Sequence, residues 1–326
     1  MTKYLIINAD DFGLSQSINQ GIIEAYHAGT VSSTTLMCNM PGFQDAVTLA
    51  KKTTSLGVGL HFNLTYGKPL ANQQKVSSLV NPKGVFSKDR SKWTEAHIIT
   101  ELEAQFKRFI ASGLYPTHLD SHHHIHIDSE LVYRALKDLS IRLQIPMRLH
   151  PLIIEDRQIF RSSDYLILDT YDTNDGVDRL IRYLDHLPDG ITELMCHPGY
   201  VDDDVRAYSV WTDGRAKELH VFTNQRIVEK LSELDIQLVN FGFIPEPEKP
   251  ECSEPFEQTL AEVIPQSIPQ PIPQPIRKRK TKKKMVNRRK KRGIRVLNKV
   301  KVMKLKKKII LKKKKRYTKL NSKKVS

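Results

Sequence analysis

The sequence predicts an α/β fold of the (βα) barrel type, TIM-like and either closed or incomplete. Short apolar runs of strand length alternate with longer stretches of helical periodicity, and about seven to eight such runs occur in the first 250 residues. Strands that alternate with helices form parallel sheets, and a barrel accommodates this number of strands best. A doubly wound open sheet is the alternative. The predicted strands are residues 4–7, 34–38, 58–64, 117–119, 147–149, 165–168, 193–196 and 236–239.

The intervals between these runs have the spacing of amphipathic helices. Apolar residues recur there three and four positions apart, and glycines stand near the ends of several intervals. The predicted helices are residues 17–28, 43–51, 94–111, 129–143, 175–187 and 224–234. Neither a GxGxxG motif nor a P-loop motif is present, which argues against a nucleotide-dependent enzyme.

The basic residues are concentrated at one end of the chain. The formal net charge is +16, yet the segment from Arg277 onward holds 27 of the 52 Lys and Arg residues, and no acidic residue follows Glu262. The rest of the chain has 25 basic and 36 acidic residues, a formal net charge of −11. We therefore predict a globular domain at 1–246, a Pro/Gln-rich linker at 247–276 and a disordered Lys/Arg-rich tail at 277–326.

The basic tail has three interpretations. Its charge runs suit nucleic acid, through phosphate contacts that weaken with salt. An anionic membrane surface is the second candidate, because apolar residues are interspersed with the charges. The third is a fused or frameshifted extension without a selected role.

The cysteines and the N-terminus predict a cytoplasmic protein. Cys38, Cys196 and Cys252 are few and widely spaced, which argues against a disulfide framework or a cysteine zinc site. The apolar patch near the N-terminus is only as long as a strand, and no run approaches the length of a membrane span. We expect neither an export signal nor a membrane span.

Three motifs place polar side chains at the carboxyl ends of predicted strands. Asp10 and Asp11 follow the first run, His61 lies in GLHFNLT, and His197 begins HPGY. In barrels and open α/β sheets, active sites form at this end of the strands. Each motif alone has a simpler interpretation, as a helix-capping Asp or a core histidine.

A fourth motif, THLDSHHHIH at 117–126, is the strongest. If this segment is extended, side chains alternate between faces and five of them point the same way, in a row suited to metal binding. The row comprises His118, Asp120, His122, His124 and His126. A surface tract that binds metal adventitiously is the alternative.

Two imidazoles and one carboxylate with open coordination positions suit a divalent ion that binds water and substrate together. A second carboxylate can then accept the proton of water while a histidine protonates the leaving group. This constellation indicates hydrolysis of an amide or ester. A serine nucleophile elbow, Gly-x-Ser-x-Gly, is absent.

With these motifs in view, the chain resembles the YdjC/ChbG-like carbohydrate deacetylases. The resemblance runs from Tyr4 to about Phe243 through NADDFGLS, GLHFNLT, GKPL, THLDSHHHIH and HPGY, in that order. It implies an incomplete (βα) barrel that forms a homodimer. It also implies a hydrolase that removes N-acetyl groups from acetylated monosaccharides or chitin-derived oligosaccharides.

The resemblance also implies roles for individual residues. Asp11, His61 and His122 would be the metal ligands and Asp10 the general base. His197 would be the acid, by analogy with the wider sugar deacetylases, and Arg148 would orient Asp10. The family ion is Mg²⁺, although two histidine ligands favour Zn²⁺ or Mn²⁺ on grounds of softness.

Two rival functions remain open at this stage. In one, the protein associates with nucleic acid through its tail and the barrel serves as a scaffold. In the other, the metal is kept but the reaction is that of a phosphoesterase, although the motifs are poor in basic residues apart from Arg148. Tyr66, Trp93 and Trp211 could stack on sugar rings, but we interpret them as packing residues.

Overall fold

A computed structural model describes residues 2–153, 156 and 159–245, without the side chain of Tyr208. The strands are β1 Lys3–Phe12, β2 Ser33–Leu36, β3 Gly57–Phe62, β4 Leu119–Ser121, β5 Tyr165–Ile167, β6 Gly190–Cys196 and β7 Gln237–Leu238. The α-helices are α1 Gln16–His27, α2 Phe43–Lys52, α3 Glu95–Ala111, α4 Ile125–Asp128, α5 Glu130–Leu143, α6 Gly176–Asp185, α7 Asp203–Tyr208, α8 Asp213–Phe222 and α9 Gln225–Glu233.

The strands form a parallel, curled sheet in which β1 is central. The order is β4-β3-β2-β1-β6-β5, and the short β7 pairs with the first half of β1. On one side of β1 lie β2, β3 and β4 in that order, and on the other side lie β6 and then β5. Neighbouring strands in the sheet are therefore consecutive in the chain, except where β1 pairs with β6. This order is that of a barrel, so the doubly wound alternative is wrong, and the predicted α/β class with a parallel sheet is confirmed.

One predicted strand is much shorter than expected. The segment 147–149 forms a single parallel bridge, between Met147 and Leu119, instead of a strand. Pro146 directly precedes the segment and Pro151 follows it after His150, and proline cannot donate a hydrogen bond to a strand ladder. Even so, the segment lies beside β4, where Arg148 donates its backbone N–H to the Leu119 carbonyl at 2.9 Å.

The apolar runs become strands because both of their faces are covered. The consecutive residues Leu5, Ile6 and Ile7, whose side chains alternate between the two faces of β1, are all fully buried, and the whole of β3 is buried as well. Strands enclosed on both faces read as continuous apolar runs, which is the pattern in the sequence. Polar residues inside such a sheet are costly to bury, so those at the carboxyl ends of the strands must have partners or a function.

All six predicted helices are present, and each of their ends lies within two residues of the predicted position. Three helices, α4, α7 and α8, were not predicted. The buried positions of α8 include Gly214, Arg215 and Glu218. Its buried face therefore lacks the continuous row of apolar residues by which a helix is predicted from sequence. The predicted linker and tail fall outside the described residues. Within the described ranges, the helices are too short or too polar to cross a membrane.

Candidate metal and catalytic centre

The carboxyl ends of four strands bring the predicted polar side chains together. His61 of β3 pairs in register with Asp120 of β4, and the end of β6 lies beside β1, with Ala9 opposite Cys196. Parallel strands end at the same edge of a sheet, so residues far apart in the chain meet there. The predicted convergence of the four motifs at one edge is what the structure shows.

Asp11 reaches this centre through an irregularity in β1. The register between β1 and β2 shifts between Ala9 and Phe12, and Asp11 has a left-handed backbone with φ of 74°. Such bulges change the direction in which a side chain points. Here the change turns the Asp11 carboxylate toward His61 and His122.

Three buried donor atoms form a small triangle. Asp11 Oδ1 lies 2.7 Å from His122 Nδ1 and 3.2 Å from His61 Nε2, and the two nitrogens are 3.2 Å apart. A divalent ion about 2.0–2.2 Å from each donor separates its donors by roughly 2.9–3.5 Å. Apart from these two ring nitrogens, the buried Asp11 Oδ1 has no hydrogen-bond partner among the described residues. The three residues therefore fit a cation.

The second ring nitrogen of His61 is held by Asp120. Nδ1 lies 2.6 Å from Asp120 Oδ1, and the Thr35 hydroxyl donates to the other oxygen of that carboxylate at 3.0 Å. A carboxylate in this position fixes the ring and leaves the lone pair of Nε2 for a metal. Burial alone would lower the pKa of His61, but Asp120 and Asp11 outweigh it and raise the pKa to about 10. Cation binding at His61 therefore competes with a proton.

The predicted histidine row is interrupted. β4 ends at Ser121, and His123 and His124 adopt left-handed backbones with φ of 55° and 49°. The extended segment that would align five side chains is therefore too short, and the prediction for His124 and His126 is wrong. His118 instead lies 3.0 Å from Asn8 Oδ1, and its ring stacks on Phe241.

Asp10 is paired with Arg148, as the resemblance implied. The guanidinium donates to both carboxylate oxygens, at 2.7 and 2.8 Å, and Asn8 donates to Oδ1 at 2.9 Å. Burial alone would raise the pKa of Asp10, but the Arg148 charge outweighs it and holds the pKa far below its usual range. Asp10 is therefore ionised at every physiological pH.

Arg148 binds two further carboxyl groups. It is fully buried, and it contacts Asp120 Oδ2 at 2.9 Å and Glu193 Oε1 at 2.7 Å. Burial raises the pKa of Glu193 to about 7, although Arg148 opposes the shift. One guanidinium thus connects the proposed base, the partner of His61 and a residue of β6.

Glu193 predicts a dependence of stability on pH. Its pKa is raised on folding, so its contribution to the free energy of unfolding is complete below about pH 4.5 and is lost as the pH rises through about 7. We expect this loss to be about 3 kcal/mol between pH 4.5 and 8. The free energy of unfolding, measured with urea, should decrease less from pH 5 to pH 8 for Glu193→Gln than for the wild type. Equal decreases in both proteins would contradict this expectation.

His197 follows β6 directly, and its side chain is 18% exposed. Its backbone N–H donates to Glu218 Oε2 at 2.6 Å, and its ring meets Trp211 edge to face at 5.1 Å. Burial lowers the pKa of His197 to about 4, against the opposing charges of Asp10 and Asp11. The imidazole is therefore neutral at pH 7 in the protein without a cation.

A cleft of about 860 Å³ is lined by Tyr66, among other residues. Tyr66 connects the cleft to the metal triangle, because its ring is tilted by 47° against that of His122, with the ring centroids 5.0 Å apart. Asn39, Thr65 and Phe86 are among the other lining residues. Tyr66 therefore lies beside the triangle and Trp211 contacts His197, whereas the Trp93 side chain is buried.

Comparison with known proteins identifies the family. A family model described as YdjC-like protein matches residues 4–233. The chain belongs to the YdjC-like family. It is 40% identical over 245 residues to a carbohydrate deacetylase of Geobacillus stearothermophilus, with 74% of this chain and 98% of the relative covered. A carbohydrate deacetylase of Clostridium beijerinckii is 38% identical over 244 residues, with 73% and 98% covered.

A solved structure of similar fold supports the same family. A protein of Enterococcus faecalis described as a putative cellobiose-phosphate cleavage protein is 30% identical, with a TM-score of 0.68. The match covers 74% of this chain and 98% of that one. These YdjC-like relatives thus match the chain over nearly their whole length, and about a quarter of this chain has no counterpart in them.

Two buried residues of this YdjC-like chain were missed in the sequence. Arg215 donates to Asp11 Oδ2 at 2.6 Å, and Glu218 accepts the backbone N–H groups of Tyr171 and His197. Both belong to α8, which was not predicted. The sequence feature that could have revealed them is their spacing. Arg215 and Glu218 are three positions apart, so they share one face of a helix with the apolar residues Leu219 and Phe222.

Proposed function

We propose that the protein is a metal-dependent hydrolase that removes acetyl groups from N-acetylated sugars. The observation that carries this proposal is the triangle of Asp11, His61 and His122 beside the Asp10–Arg148 pair. The two relatives described as carbohydrate deacetylases support it, because they are similar to this chain over nearly their whole length.

Asp11, His61 and His122 would hold the divalent cation. The resemblance favours Mg²⁺, whereas two imidazole donors favour Zn²⁺ or Mn²⁺. The cation would polarise the acyl carbonyl and lower the pKa of water. One carboxylate oxygen and two ring nitrogens leave coordination positions open for such chemistry.

Asp10 would act as the general base. A carboxylate with a strongly lowered pKa is a weak base but is always ionised, so it can accept a proton from water that is already acidified. The two Arg148 contacts fix its orientation. As water attacks the acyl carbon, its proton passes to Asp10 and a C–O bond forms.

His197 would deliver a proton to the leaving nitrogen. Because its imidazole is neutral at pH 7, His197 must first take up the proton that Asp10 has accepted from the attacking water, and it then passes this proton to the leaving nitrogen. The C–N bond then breaks, and the products are acetate and the free amine. The hydrogen bond from the backbone N–H of His197 to Glu218 fixes the backbone that carries this imidazole at the end of β6.

The cleft beside Tyr66 would hold the sugar. Its volume suits a ligand of one or a few sugar rings, and it combines the faces of Tyr66 and Phe86 with polar groups of Asn39 and Thr65. Aromatic faces and hydrogen-bonding side chains are the two features that a pyranose requires. The homodimer, the cytoplasmic location and a nucleic-acid or anionic partner of the tail stay predictions.

A phosphoesterase is less well supported by the arrangement. Arg148 is already bound to the carboxylates of Asp10, Asp120 and Glu193, and Arg215 is bound to Asp11, with only its Nη1 left without a hydrogen-bond partner among the described residues. A phosphate would need positive groups with free donors beside the metal. The experiment below includes this alternative as one of its outcomes.

The test is a substrate panel read by mass spectrometry. The full chain would be incubated with Zn²⁺, Mn²⁺ or Mg²⁺ and with N-acetylglucosamine, diacetylchitobiose, acetylated xylose or phosphorylated cellobiose. We expect the N-acetylated sugars to lose acetyl groups and the phosphorylated sugar to keep its phosphate. Release of phosphate without loss of acetyl would overturn the proposal in favour of the phosphoesterase.

A further inference from the structure

Helix α8 places one arginine against a proposed metal ligand. Arg215 is 3% exposed, and its Nη2 donates to Asp11 Oδ2 at 2.6 Å. Its Nε donates to the Trp211 carbonyl at 3.2 Å. Among the described residues, Nη1 has no hydrogen-bond partner. Arginine is rarely buried so completely unless a charge partner compensates, and Asp11 is that partner here.

The two oxygens of Asp11 have different partners. Oδ1 faces His61 and His122, whereas Oδ2 is bound by Arg215. Because Arg215 holds Oδ2 on its own side, Oδ1 is the oxygen that faces the two histidines and a cation between them. The arrangement therefore selects a single ligand atom from Asp11 and fixes the direction in which it points.

The backbone of Asp11 needs such support. Its left-handed φ of 74° falls at the register shift of β1, in a region that residues other than glycine rarely adopt. Conformations of this kind persist only where the surroundings hold them in place. The bond to Arg215 joins this strained position to a different element, α8, which lies 204 residues further along the chain.

We propose that Arg215 is a positioning residue for the cation: it presents one oxygen of Asp11 to the ion that the site is proposed to bind. The inference rests on the proposed function, because it requires a cation at Asp11, His61 and His122. It adds a residue that lies outside all the motifs by which the site is recognised in the sequence.

Positioning and simple electrostatics predict opposite effects. A guanidinium close to a cation repels it, so removal of the charge alone would tighten cation binding. Removal of the positioning contact would weaken binding, because Asp11 could then turn its carboxylate away from the histidines. Loss of an outer partner of a metal ligand typically weakens affinity about 10–100-fold.

The experiment measures the Kd for Zn²⁺ by competition with a chelating dye, on the folded full chain. Arg215→Met should bind Zn²⁺ about 10–100-fold more weakly than the wild type. Arg215→Lys keeps the positive charge but loses the planar set of N–H donors, so its Kd should lie between those of the wild type and Arg215→Met. Lys217→Met removes the same charge from an exposed position of α8, and should leave the Kd unchanged.

The outcomes separate the two proposals. Unchanged or tighter binding in Arg215→Met, with thermal unfolding that shows a folded protein, would overturn the inference while the proposed function stands. If Arg215→Met does not fold, Arg215→Lys decides, and a Kd equal to that of the wild type overturns the inference. A wild-type protein that binds no Zn²⁺, Mn²⁺ or Mg²⁺ would refute the metal-dependent function, and the inference with it.

Discussion

Replacement of Asp10 by Asn is expected to slow acetate release about 10²–10⁴-fold, the usual contribution of a positioned general base. Asn has nearly the same shape as Asp, so it can still occupy the position beside Arg148, but it cannot accept the proton of water. The Kd for the cation should change little, because Asp10 is not part of the Asp11, His61 and His122 triangle. The measurement is kcat with saturating cation and N-acetylated sugar.

The matched control is Asp204→Asn, which makes the same chemical change at an exposed position of α7. It should release acetate at the wild-type rate. Thermal unfolding of both variants distinguishes a catalytic loss from an unfolded protein. An Asp10→Asn protein that is folded, binds the cation and retains full activity would remove Asp10 from the proposed mechanism.

Replacement of Arg148 by Met is expected to lower the free energy of unfolding by about 3–5 kcal/mol. The variant leaves the carboxyl groups of Asp10, Asp120 and Glu193 buried without the cation that compensates them. Breaking a buried ion pair by removing one partner is costly, because the remaining charge stays away from water. Urea unfolding at pH 7 of the wild type and the variant gives the difference.

A control for this prediction is Arg134→Met. Arg134 pairs with Glu95 and Glu130, but its side chain is 43% exposed. Exposed pairs contribute about 0–1 kcal/mol, so this variant should unfold at nearly the wild-type urea concentration. A loss for Arg148→Met that is no larger than that for Arg134→Met would show that the three carboxyl groups do not depend on the guanidinium.

The position of the site could be predicted from the sequence because it depends on strand ends. An apolar run followed by a polar motif marks the carboxyl end of a strand, and parallel strands bring such ends to one edge. Asp10, Asp11, His61 and His197 each carried that pattern, and the structure brings them to one edge. The strand around Met147 was expected to be longer, and its flanking prolines explain the difference.

The features that could not be predicted depend on backbone turns and distant helices. The turn at His123 and His124 rests on two left-handed residues, which an alternating pattern of side chains does not reveal. Arg215 and Glu218 lie on a helix whose inward face is partly charged, so hydrophobic periodicity does not detect it. Their role appears only when Asp11 and His197 are seen beside them.

The most direct test of the metal-dependent deacetylase is removal and return of the cation. The full chain would be stripped with a chelator, dialysed, and assayed for acetate release from diacetylchitobiose before and after addition of Zn²⁺, Mn²⁺ or Mg²⁺, beside a His122→Ala variant. We predict no acetate from the stripped protein, recovery with at least one ion, and no recovery in His122→Ala. Equal acetate release by the stripped protein, or full recovery in His122→Ala, would contradict the account.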